Sequence, residues 1–485
     1  MIHETGVDFK DFEQWCYDLG MGFARMLMKK VLELQDEQLL KERDKGKYRA
    51  KDRRTASIKT LMGEVEIDRR LYRETGGDRG YVYLLDKQIG MDTIGRMSIN
   101  LVRRIADMIT EASYRATSEA ISFSTGQQIG HMGVWNAVQA VGDMISEGDE
   151  ANARLAKARP DAGGRVIHVQ QEEFDGVWVN MQGKDRPAKG RKAEMKLAAS
   201  YEGLAYTGND KKGRPTYDMV NPMFMSGFES AEKFYEKKEG QLGSVYNLDE
   251  IRVRLANGDG GGWVQGVAMR GGENVHLQLD PFHVKREIMR SGLKKDEQAK
   301  ISKLMDEQKI AEMLDHIGSL MEQSADPDAA KRVGKMLSYF ENNSGFLVPV
   351  LSRGIKLPEP PEGTVYGNMG TMEGTVCNTV ALRMKKRKAS FTKNGAGNLA
   401  RLIGLKRGGA LDDTICGLSR MRLPILIEEA ATAVISAAKT QAAAGKGYEY
   451  PARGGMPFAG AFTTNGRRAI KGMLKYRRLA DLAFK

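Results

Sequence analysis

Three carboxylates in the sequence have the residue type and the neighbours that metal ligands need. Asp175 and Asp259 each end an apolar run that predicts a strand, and each is followed by glycine. Glu373 begins a segment of helical pattern that is rich in basic residues. Neighbouring strands would bring the two aspartates to one edge of a sheet, where Gly176 and Gly260 would let a phosphate backbone approach closely.

The chemistry that such a cluster supports is phosphodiester cleavage and transfer. Three carboxylates can hold two divalent ions about 3.5–4 Å apart, and hard oxygen ligands favour Mg²⁺ or Mn²⁺ over zinc. One ion then activates a water or a 3′-hydroxyl, and the other stabilises the leaving oxygen. We therefore expect Asp175, Asp259 and Glu373 to be the catalytic residues and the ligands of two Mg²⁺ or Mn²⁺ ions.

The spacing of these acids also fits a purely structural role. Asp-Gly is a common turn, and 63 acidic residues offer many chance triples. Five other acids near the predicted strands compete for the same role. They are Glu172, Glu173, Glu194, Glu202 and Asp280.

The elements that would position the carboxylates follow the order of a ribonuclease-H-like sheet. RVIHVQQEEFDGVWVNMQ predicts two strands that meet near Asp175, and EMKLAASYEGL predicts a third. A helix, a strand that ends at Asp259, a short helix and the strand NVHLQLDPFHV follow. We expect the catalytic core at 165–283, a charged helical insertion at 284–345, and the rest of the core, with the third carboxylate, at 346–410.

The first part of the chain predicts a DNA-binding region. Helical apolar spacing and a basic stretch mark a segment at 1–56, and alternation around Met62-Gly63 predicts a β-hairpin that opens a region at 57–146. Three helices follow the hairpin, and a turn at Thr125-Gly126 between two of them suits a helix-turn-helix, although an ordinary helical bundle fits as well. The side chains expected to contact DNA are Arg53, Arg54, Arg115, Gln127, Gln128, His131 and Asn136.

Two polar segments complete the predicted organisation. Residues 147–164 predict a linker, and residues 411–485 predict a basic tail rich in alanine and glycine. The expected fold class is α+β and multidomain. It comprises a ribonuclease-H-like mixed α/β catalytic core with a helical insertion, preceded by a helical and β-hairpin DNA-binding region with a helix-turn-helix.

Basic residues are concentrated in three stretches of a chain whose net charge is +12. Residues 41–59 hold nine bases and three acids, residues 467–485 hold seven bases and one acid, and RMKKRK lies in the helix of the third carboxylate. Separated basic patches suit a protein that grips a long duplex, although each patch alone also fits a solvated surface. The bases expected to hold DNA beside the cut are Arg383, Lys385, Lys386, Arg387 and Lys388.

Other features of the sequence argue against several partners and compartments. No run of about 18 apolar residues predicts a membrane span, and the first residues lack the pattern of a secretion signal. The three cysteines, Cys16, Cys377 and Cys416, form no CxxC pair, which fits a reducing cytoplasm. The expected localisation is cytoplasmic and nucleoid-associated. No GxxxxGK[ST] loop is present, so no nucleotide cofactor is expected.

Several blocks of the sequence resemble those of the ISLre-type insertion-sequence transposases, a family of the DDE class with a Mutator-like layout. The blocks run in order from about residue 55 to 405. They are KTLMGEVEIDRRLYR, YVYLLDKQIGM, ITEASYRATSEAISFSTGQQIGHMGVWN, EEFDGVWVNMQG, EMKLAASYEG, NGDGGGWV, LDPFHVKR and NMGTMEGTVCNTVALRMKKRKASFTKNGAGNLARL.

The resemblance implies a DNA transposase that cleaves phosphodiesters at the ends of an insertion sequence and joins them to target DNA. It implies that Asp175, Asp259 and Glu373 match the family's three acids, and that His283 supports the metal ligands or contacts DNA. The expected partners are the double-stranded DNA of the terminal repeats and of the target, with the protein acting as a homo-oligomer on DNA.

The sequence departs from the family pattern in three places. IGHMGVWN lacks the Ser-His that commonly leads into the recognition helix, Gly261 stands where alanine is frequent, and Phe391 stands where tryptophan is common. None of these changes removes a carboxylate. The first leaves the DNA sequence specificity open.

Other functions fit parts of the same pattern. A structure-selective nuclease of the same fold would share the three acids without strand transfer, and a non-catalytic DNA-binding descendant would keep only the DNA contacts. HVKR at 283–286 matches the HxxR of tyrosine recombinases, but the next tyrosine, Tyr339, lies in the predicted helical insertion. No GxSxG motif supports a serine nucleophile.

Overall fold

The chain forms two compact units in a computed structural model. The model describes residues 8–75, 80–90, 94–272, 274–367, 369–370, 373–385, 389–418 and 432–436, with the backbone alone at 373 and 375–379. The first unit comprises Met1–Met108, Ser113–Ala137 and Ile415–Lys485, and the second comprises Ile109–Ala112 and Val138–Thr414. Within the described ranges, no helix is both long enough and apolar enough to cross a membrane.

The first unit combines a long helix, a small antiparallel sheet and a group of shorter helices. Two of its helices, α3 and α5, end within residues of the second unit. Its elements are α1 (Phe9–Glu42), β1 (Tyr48–Thr60), β2 (Gly63–Glu74), β3 (Tyr81–Val82), α2 (Leu84–Ile89), α3 (Ile99–Glu111), α4 (Tyr114–Thr125) and the start of α5 (His131–Ala158).

The β-hairpin predicted around Met62-Gly63 is present, and it packs against α1. Strands β1 and β2 pair antiparallel with Ile58 opposite Val65, and both side chains are buried in a small core with Leu32 of α1. The predicted boundary between residues 56 and 57 is wrong, because β1 begins at Tyr48 and carries much of the basic stretch. The sequence did not predict this part of the strand, because its side chains are mostly exposed and polar and therefore show no apolar alternation.

The segment predicted as a linker at 147–164 is mostly helix. Helix α5 continues to Ala158, and a 3₁₀ turn at Pro160–Ala162 follows it. The sequence EGDEANARLAKA is polar, but its alanine, glutamate, arginine and lysine residues are among the stronger helix formers. Helix propensity therefore prevails over the polarity that had indicated a loop.

The second unit contains a mixed sheet flanked by helices. Its elements after α5 are β4 (Val169–Asn180), β5 (Lys192–Tyr201), β6 (Leu204–Asn209), β7 (Pro215–Met219), β8 (Met223–Gly227), α6 (Ala231–Gly243), β9 (Val253–Gly258), α7 (Gly262–Ala268), β10 (Val275–Leu279), α8 (Pro281–Arg290), α9 (Lys295–Asp306), α10 (Ile310–Glu322), α11 (Pro327–Asn342), a π-helix (Glu373–Lys385), α12 (Lys393–Arg407) and α13 (Leu411–Gly417).

The sheet of the second unit has five strands in the order β10-β9-β4-β5-β8. Strand β4 is central and runs antiparallel to β5, and β5 runs antiparallel to β8. On the other side of β4, strands β9 and β10 run parallel to it. The first strand in sequence is thus in the middle, with the second and third on one side and the fourth and fifth on the other.

The prediction that two strands meet near Asp175 is wrong. Strand β4 is continuous from Val169 to Asn180. Its ladder with β5 runs from the Gln171–Tyr201 pair to the Asn180–Lys192 pair, so the backbone hydrogen bonds hold it straight through the Asp-Gly pair. Pairing with a neighbouring strand therefore overrides the local turn signal.

Helices cover the sheet and form a separate layer after its last strand. On one face, Phe174 and Ala256 pack with Phe234 of α6 and Val264 of α7. Helices α8 to α11 lie over the range 284–345, which the sequence predicts as a helical insertion. Their core includes Ile301, Met313, Val333 and Phe340 together with Leu279 of β10. Helix α12 packs on β8, and the π-helix packs on β4.

Candidate carboxylate site at the ends of the parallel strands

Three aspartates follow the carboxyl ends of the parallel ladder in the same register. Glu173 of β4 pairs with Asn257 of β9, and Asn257 pairs with Gln278 of β10. Residues two positions apart on a strand face the same side, so each aspartate continues the row by one step. The three residues that stand two positions later are Asp175, Asp259 and Asp280.

Backbone amides orient each of the three carboxylates. Oδ1 of Asp175 accepts from the backbone N–H of the next residue at 2.7 Å. Oδ1 of Asp259 accepts from Gly261 N at 2.8 Å, and Oδ1 of Asp280 accepts from Phe282 N at 2.8 Å, which caps helix α8. These bonds fix the direction of each carboxyl group.

The electrostatics show that the carboxylates are crowded. Burial raises the pKa of the Asp280 carboxyl, and the charges of Glu173 and Asp175 raise it further. Burial also raises the pKa of Glu194, with the charge of Asp259 as the next cause and that of Asp175 as a smaller one. Negative charge thus accumulates at this edge of the sheet, where a bound cation would be stabilised.

His283, on helix α8, faces the first of these aspartates. Its Nε2 atom lies 3.9 Å from Oδ1 of Asp175, and its Nδ1 atom is 2.7 Å from Nη2 of Arg286. The imidazole is buried, with 6% of its residue surface exposed. Of the two predicted roles of His283, contact with DNA would need exposed surface, and the buried ring offers little of it.

A second row of polar side chains lies buried immediately behind the aspartates. Glu173 accepts from the Tyr201 hydroxyl at 2.6 Å and from Gly370 N at 3.1 Å. Asn257 accepts from Gln278 Nε2 at 3.1 Å. These bonds support the strand ends from inside the sheet. The Gly370 contact also joins the segment before the π-helix to strand β4.

The helix predicted for the third carboxylate is present. It begins at Glu373, has π-helical hydrogen bonding and packs against β4, the strand of Asp175. The Glu373 side chain lies outside the described part of the structure. The described backbone therefore brings this helix to the strand that carries the first aspartate.

The glycines beside the aspartates have an internal reason to lack a side chain. A Cβ at Gly176 would lie 2.2 Å from Oε1 of Glu194, and one at Gly260 would lie 2.3 Å from Oδ1 of Asn343. Gly260 also has a left-handed backbone with φ of +76°. In this structure the ends of the Glu194 and Asn343 side chains, and not open space, lie next to these two glycines.

The donors at this edge agree in kind with Mg²⁺ or Mn²⁺. Among the side chains that the structure describes, no three of the His, Cys, Asp and Glu types form a group that could hold a metal ion. The oxygen donors nevertheless suit Mg²⁺, which usually keeps several waters and binds one or two carboxylates together with substrate phosphates. The described carboxylates alone would thus supply only part of a metal ion's ligands, and waters, substrate phosphates or other side chains would have to supply the rest.

Two of the competing acids have structural partners away from this edge. Glu172 accepts from Lys238 at 2.5 Å and from Arg254 at 2.9 Å on the opposite face of the sheet. Glu202 accepts from the Tyr246 hydroxyl at 2.8 Å and pairs with Arg165 at 2.9 Å. The other three, Glu173, Glu194 and Asp280, are at the site. The sequence predicted Asp280 only as a competing acid and not as a member of the row, although its place after an apolar strand was a usable signal.

The residues predicted to contact DNA fall into three groups. Two predictions are wrong, because Gln127 is buried and donates to Thr60 O at 2.6 Å, and Arg383 is buried and donates to Ile109 O at 3.0 Å. The exposed residues are Arg53, Arg54, Arg115, Gln128, His131, Asn136 and Lys385. The residues outside the described part are Lys386, Arg387 and Lys388.

Comparison with known proteins gives a family and distant relatives. The profile of an uncharacterised protein family, UPF0236, matches residues 2–415. The chain is 24% identical over 370 residues to a "UPF0236 protein in vanSb 3'region" of Streptococcus gallolyticus, covering 73% of this chain and 72% of that one. A solved structure, "Drosophila P element transposase strand transfer complex", matches at 10% identity over 71% of this chain and 87% of its own. Its TM-score of 0.20 is too low to establish a shared fold.

Proposed function

This chain belongs to the uncharacterised protein family UPF0236, and we propose that it is a DNA transposase of the DDE class. In this proposal Asp175, Asp259 and Glu373 hold Mg²⁺ or Mn²⁺ ions, and the reaction is cleavage at the ends of an insertion sequence followed by strand transfer. The observation that carries the proposal is the common register of Asp175 and Asp259. Both stand two positions beyond the paired residues Glu173 and Asn257, on adjacent parallel strands.

The order and direction of the strands support a ribonuclease-H-like core. The first strand is central, the second and third extend antiparallel to one side, and the fourth and fifth run parallel to it on the other. The four helices that follow the fifth strand match the helical insertion that the family resemblance implies before the third acid. In such an arrangement ligands bind beyond the carboxyl ends of the parallel strands.

In this proposal some residues at this edge bind the metal ions, and others hold those ligands in position. Bound divalent ions would activate the attacking oxygen and neutralise charge on the leaving oxygen. Asp175 and Asp259 would be oriented as ligands by their backbone hydrogen bonds. His283 would hold Asp175 in place, and the buried Glu173 would tie the segment before Glu373 to the sheet.

DNA binding would use the exposed bases of the first unit. Arg53 and Arg54 stand on the exposed part of β1. A turn of five residues separates α4 from α5, and Gly126 caps α4 with a left-handed backbone. Ser118 Oγ donates to Ile129 O at 2.6 Å and holds the turn against α4. These features support a helix-turn-helix whose second helix presents His131 and Asn136 to DNA.

Strand transfer separates this proposal from its nearest rival. The full chain would be incubated with Mg²⁺, a labelled duplex ending in the element's terminal repeat, and a supercoiled target plasmid. We expect the label to become joined to the plasmid, because a transposase uses the new 3′-hydroxyl as its nucleophile. Cleavage without joining would identify a structure-selective nuclease, and binding without cleavage would identify a non-catalytic DNA-binding protein.

A further inference from the structure

The N-terminal part of α1 carries a stripe of apolar side chains that the chain leaves exposed. Their spacing alternates three and four residues, which is the heptad pattern of a coiled-coil seam. The five large members are between 40% and 75% exposed, and the cysteine is exposed as well. The members of this seam are Phe9, Phe12, Cys16, Leu19, Phe23 and Met26.

The opposite side of α1 already has its contacts within the first unit. The Tyr17 hydroxyl donates to Ser124 O at 2.8 Å, and Arg25 donates to Met62 O at 3.1 Å. Met28 packs on the core that contains Leu32. At 100° per residue these side chains project away from the seam. Among the residues that the structure describes, the helix is therefore attached along one side and exposed along the other.

From this seam we infer that two copies of the chain pair through α1 as an antiparallel coiled coil. In that arrangement Phe9 meets Met26 of the other copy, Phe12 meets Phe23, and Cys16 meets Leu19. In each pair the two residue numbers add up to 35, so a single two-fold axis relates all six layers of the seam. An isologous contact of this kind closes at a dimer.

Charges beside the seam favour the antiparallel arrangement over the parallel one. Flanking positions place Asp8 near Lys29 of the other copy when the helices are antiparallel. In a parallel pair Asp8 would instead lie beside Glu13 of the other copy, and the two like charges would repel. The pattern occurs twice in a dimer because of the two-fold axis.

Two glycines in the middle of α1 also fit this pairing. Glycine in a helix interior is unfavourable relative to alanine, and a Cβ at Gly20 would meet no atom within 4 Å. One at Gly22 would only touch the end of Arg25 at 4.0 Å. Packing within the described part of the chain therefore does not require either glycine. In the antiparallel pair Gly22 lies opposite Trp15 and Gly20 lies opposite Glu13, where small residues let the larger side chains fit.

The mass of the full chain in solution without DNA tests the pairing. At concentrations on the order of 10–100 µM, light scattering should give a dimer for the natural sequence. Phe12→Asp and Phe23→Asp should each raise the dissociation constant at least about a hundredfold, because each buries a charge in both copies of the seam. Phe123→Asp is the matched control, since Phe123 is 92% exposed on α4 and lies off the seam.

Two further variants answer separate questions. A glycine variant distinguishes loss of the dimer from misfolding of the helix, and a cysteine pair reports whether the two helices run antiparallel or parallel. Gly22→Leu raises helix propensity yet should weaken the dimer, because the new side chain meets Trp15. In chains with Cys377 and Cys416 changed to serine, Leu19→Cys should make the oxidised dimer form readily, since residue 19 faces Cys16. Rapid cross-linking through Cys16 alone would indicate a parallel pair and contradict the proposal.

Three further results would overturn the inference. A monomer for the natural sequence would mean that the seam is bare or covered by another segment of its own chain. A dimer that survives Phe12→Asp and Phe23→Asp would have its interface elsewhere. If Phe123→Asp disrupts the dimer as much as Phe12→Asp and Phe23→Asp do, dimer formation does not depend specifically on the seam. Because no DNA is present, none of these results bears on the proposed transposase activity.

Discussion

His283 Nε2 lies 3.9 Å from Asp175 Oδ1, while Arg286 Nη2 contacts the other ring nitrogen at 2.7 Å. A guanidinium can only donate, so Nδ1 of the histidine must accept and the ring proton must be on Nε2. The N–H group of His283 therefore points towards Asp175. At 3.9 Å the contact is longer than a direct hydrogen bond, so it is a close electrostatic contact between the ring and the carboxylate.

Replacing His283 should reduce activity more than it reduces binding of DNA. For His283→Ala we expect DNA cleavage to fall about 10- to 100-fold, the usual loss when a residue that supports a metal ligand is removed. The affinity for DNA should stay within about twofold, because the ring is buried. His283→Gln should recover part of the activity, since its amide can donate to Asp175. Equal activity in the natural chain and His283→Ala would remove the histidine from the site.

The buried ion network behind β4 should be essential for stability. Lys238 contacts Glu172 at 2.5 Å and Glu239 at 2.7 Å, and Arg254 contacts the same two acids. We expect Lys238→Met to lower the free energy of unfolding by about 3–5 kcal/mol, because it leaves two buried carboxylates to share the single charge of Arg254. Chemical denaturation followed by circular dichroism measures this change.

A control on the same helix separates this effect from general sensitivity. Lys233 is exposed on α6, so Lys233→Met should change the free energy of unfolding by less than about 0.5 kcal/mol. If the two methionine variants unfold at the same denaturant concentration, the network does not stabilise the sheet.

Exposed bases on β1 should contribute to DNA binding without regard to sequence. We expect Arg53→Ser with Arg54→Ser to weaken binding of specific and random duplexes alike, since arginines that bind phosphates release counterions from both. The slope of log K against log salt should become shallower by about one unit for each phosphate that the variant no longer neutralises. Fluorescence anisotropy over a salt series measures the slope.

Two exposed lysines of the helical insertion give the matched control. Lys303 and Lys309 both pair with Glu307 on the surface, so changing both to serine removes the same charge elsewhere in the chain. An identical slope for the natural chain and the arginine variant, or an equal decrease of affinity in both double variants, would contradict a specific role for β1.

The sequence predicted local features of the site well and non-local ones poorly. Asp259 follows a strand, as the apolar run before it predicted, and Glu373 begins a helix. Asp175 does not end a strand, because the partner strand β5 continues beyond it. The place of Asp280 in the same row depends on the register of three strands, and register between strands is not visible in any single segment.

The same distinction explains the errors in the DNA-binding predictions. Gln127 is polar and follows a turn glycine, which had indicated exposure, but it is buried by a hydrogen bond to Thr60, 67 residues earlier. Arg383 belongs to a basic run, yet it donates to a carbonyl 274 residues away. Composition describes a whole segment, whereas burial is decided side chain by side chain through interactions made across the fold.

Metal-dependent cleavage of DNA ends is the most direct test of the central claim. The natural chain, Asp175→Asn, Asp259→Asn and Glu373→Gln would be compared on labelled terminal-repeat duplexes with Mg²⁺ and with a chelator. Asp249→Asn is the control, because Asp249 is an exposed acid before β9, at the other end of the strand from Asp259. We expect cleavage by the natural chain and the control only with Mg²⁺. The cleavage rate of the three site variants should fall more than about a hundredfold, above the usual loss for residues that merely support ligands, while they still bind DNA. Cleavage that survives Asp259→Asn, or that proceeds unchanged in the chelator, would contradict the account.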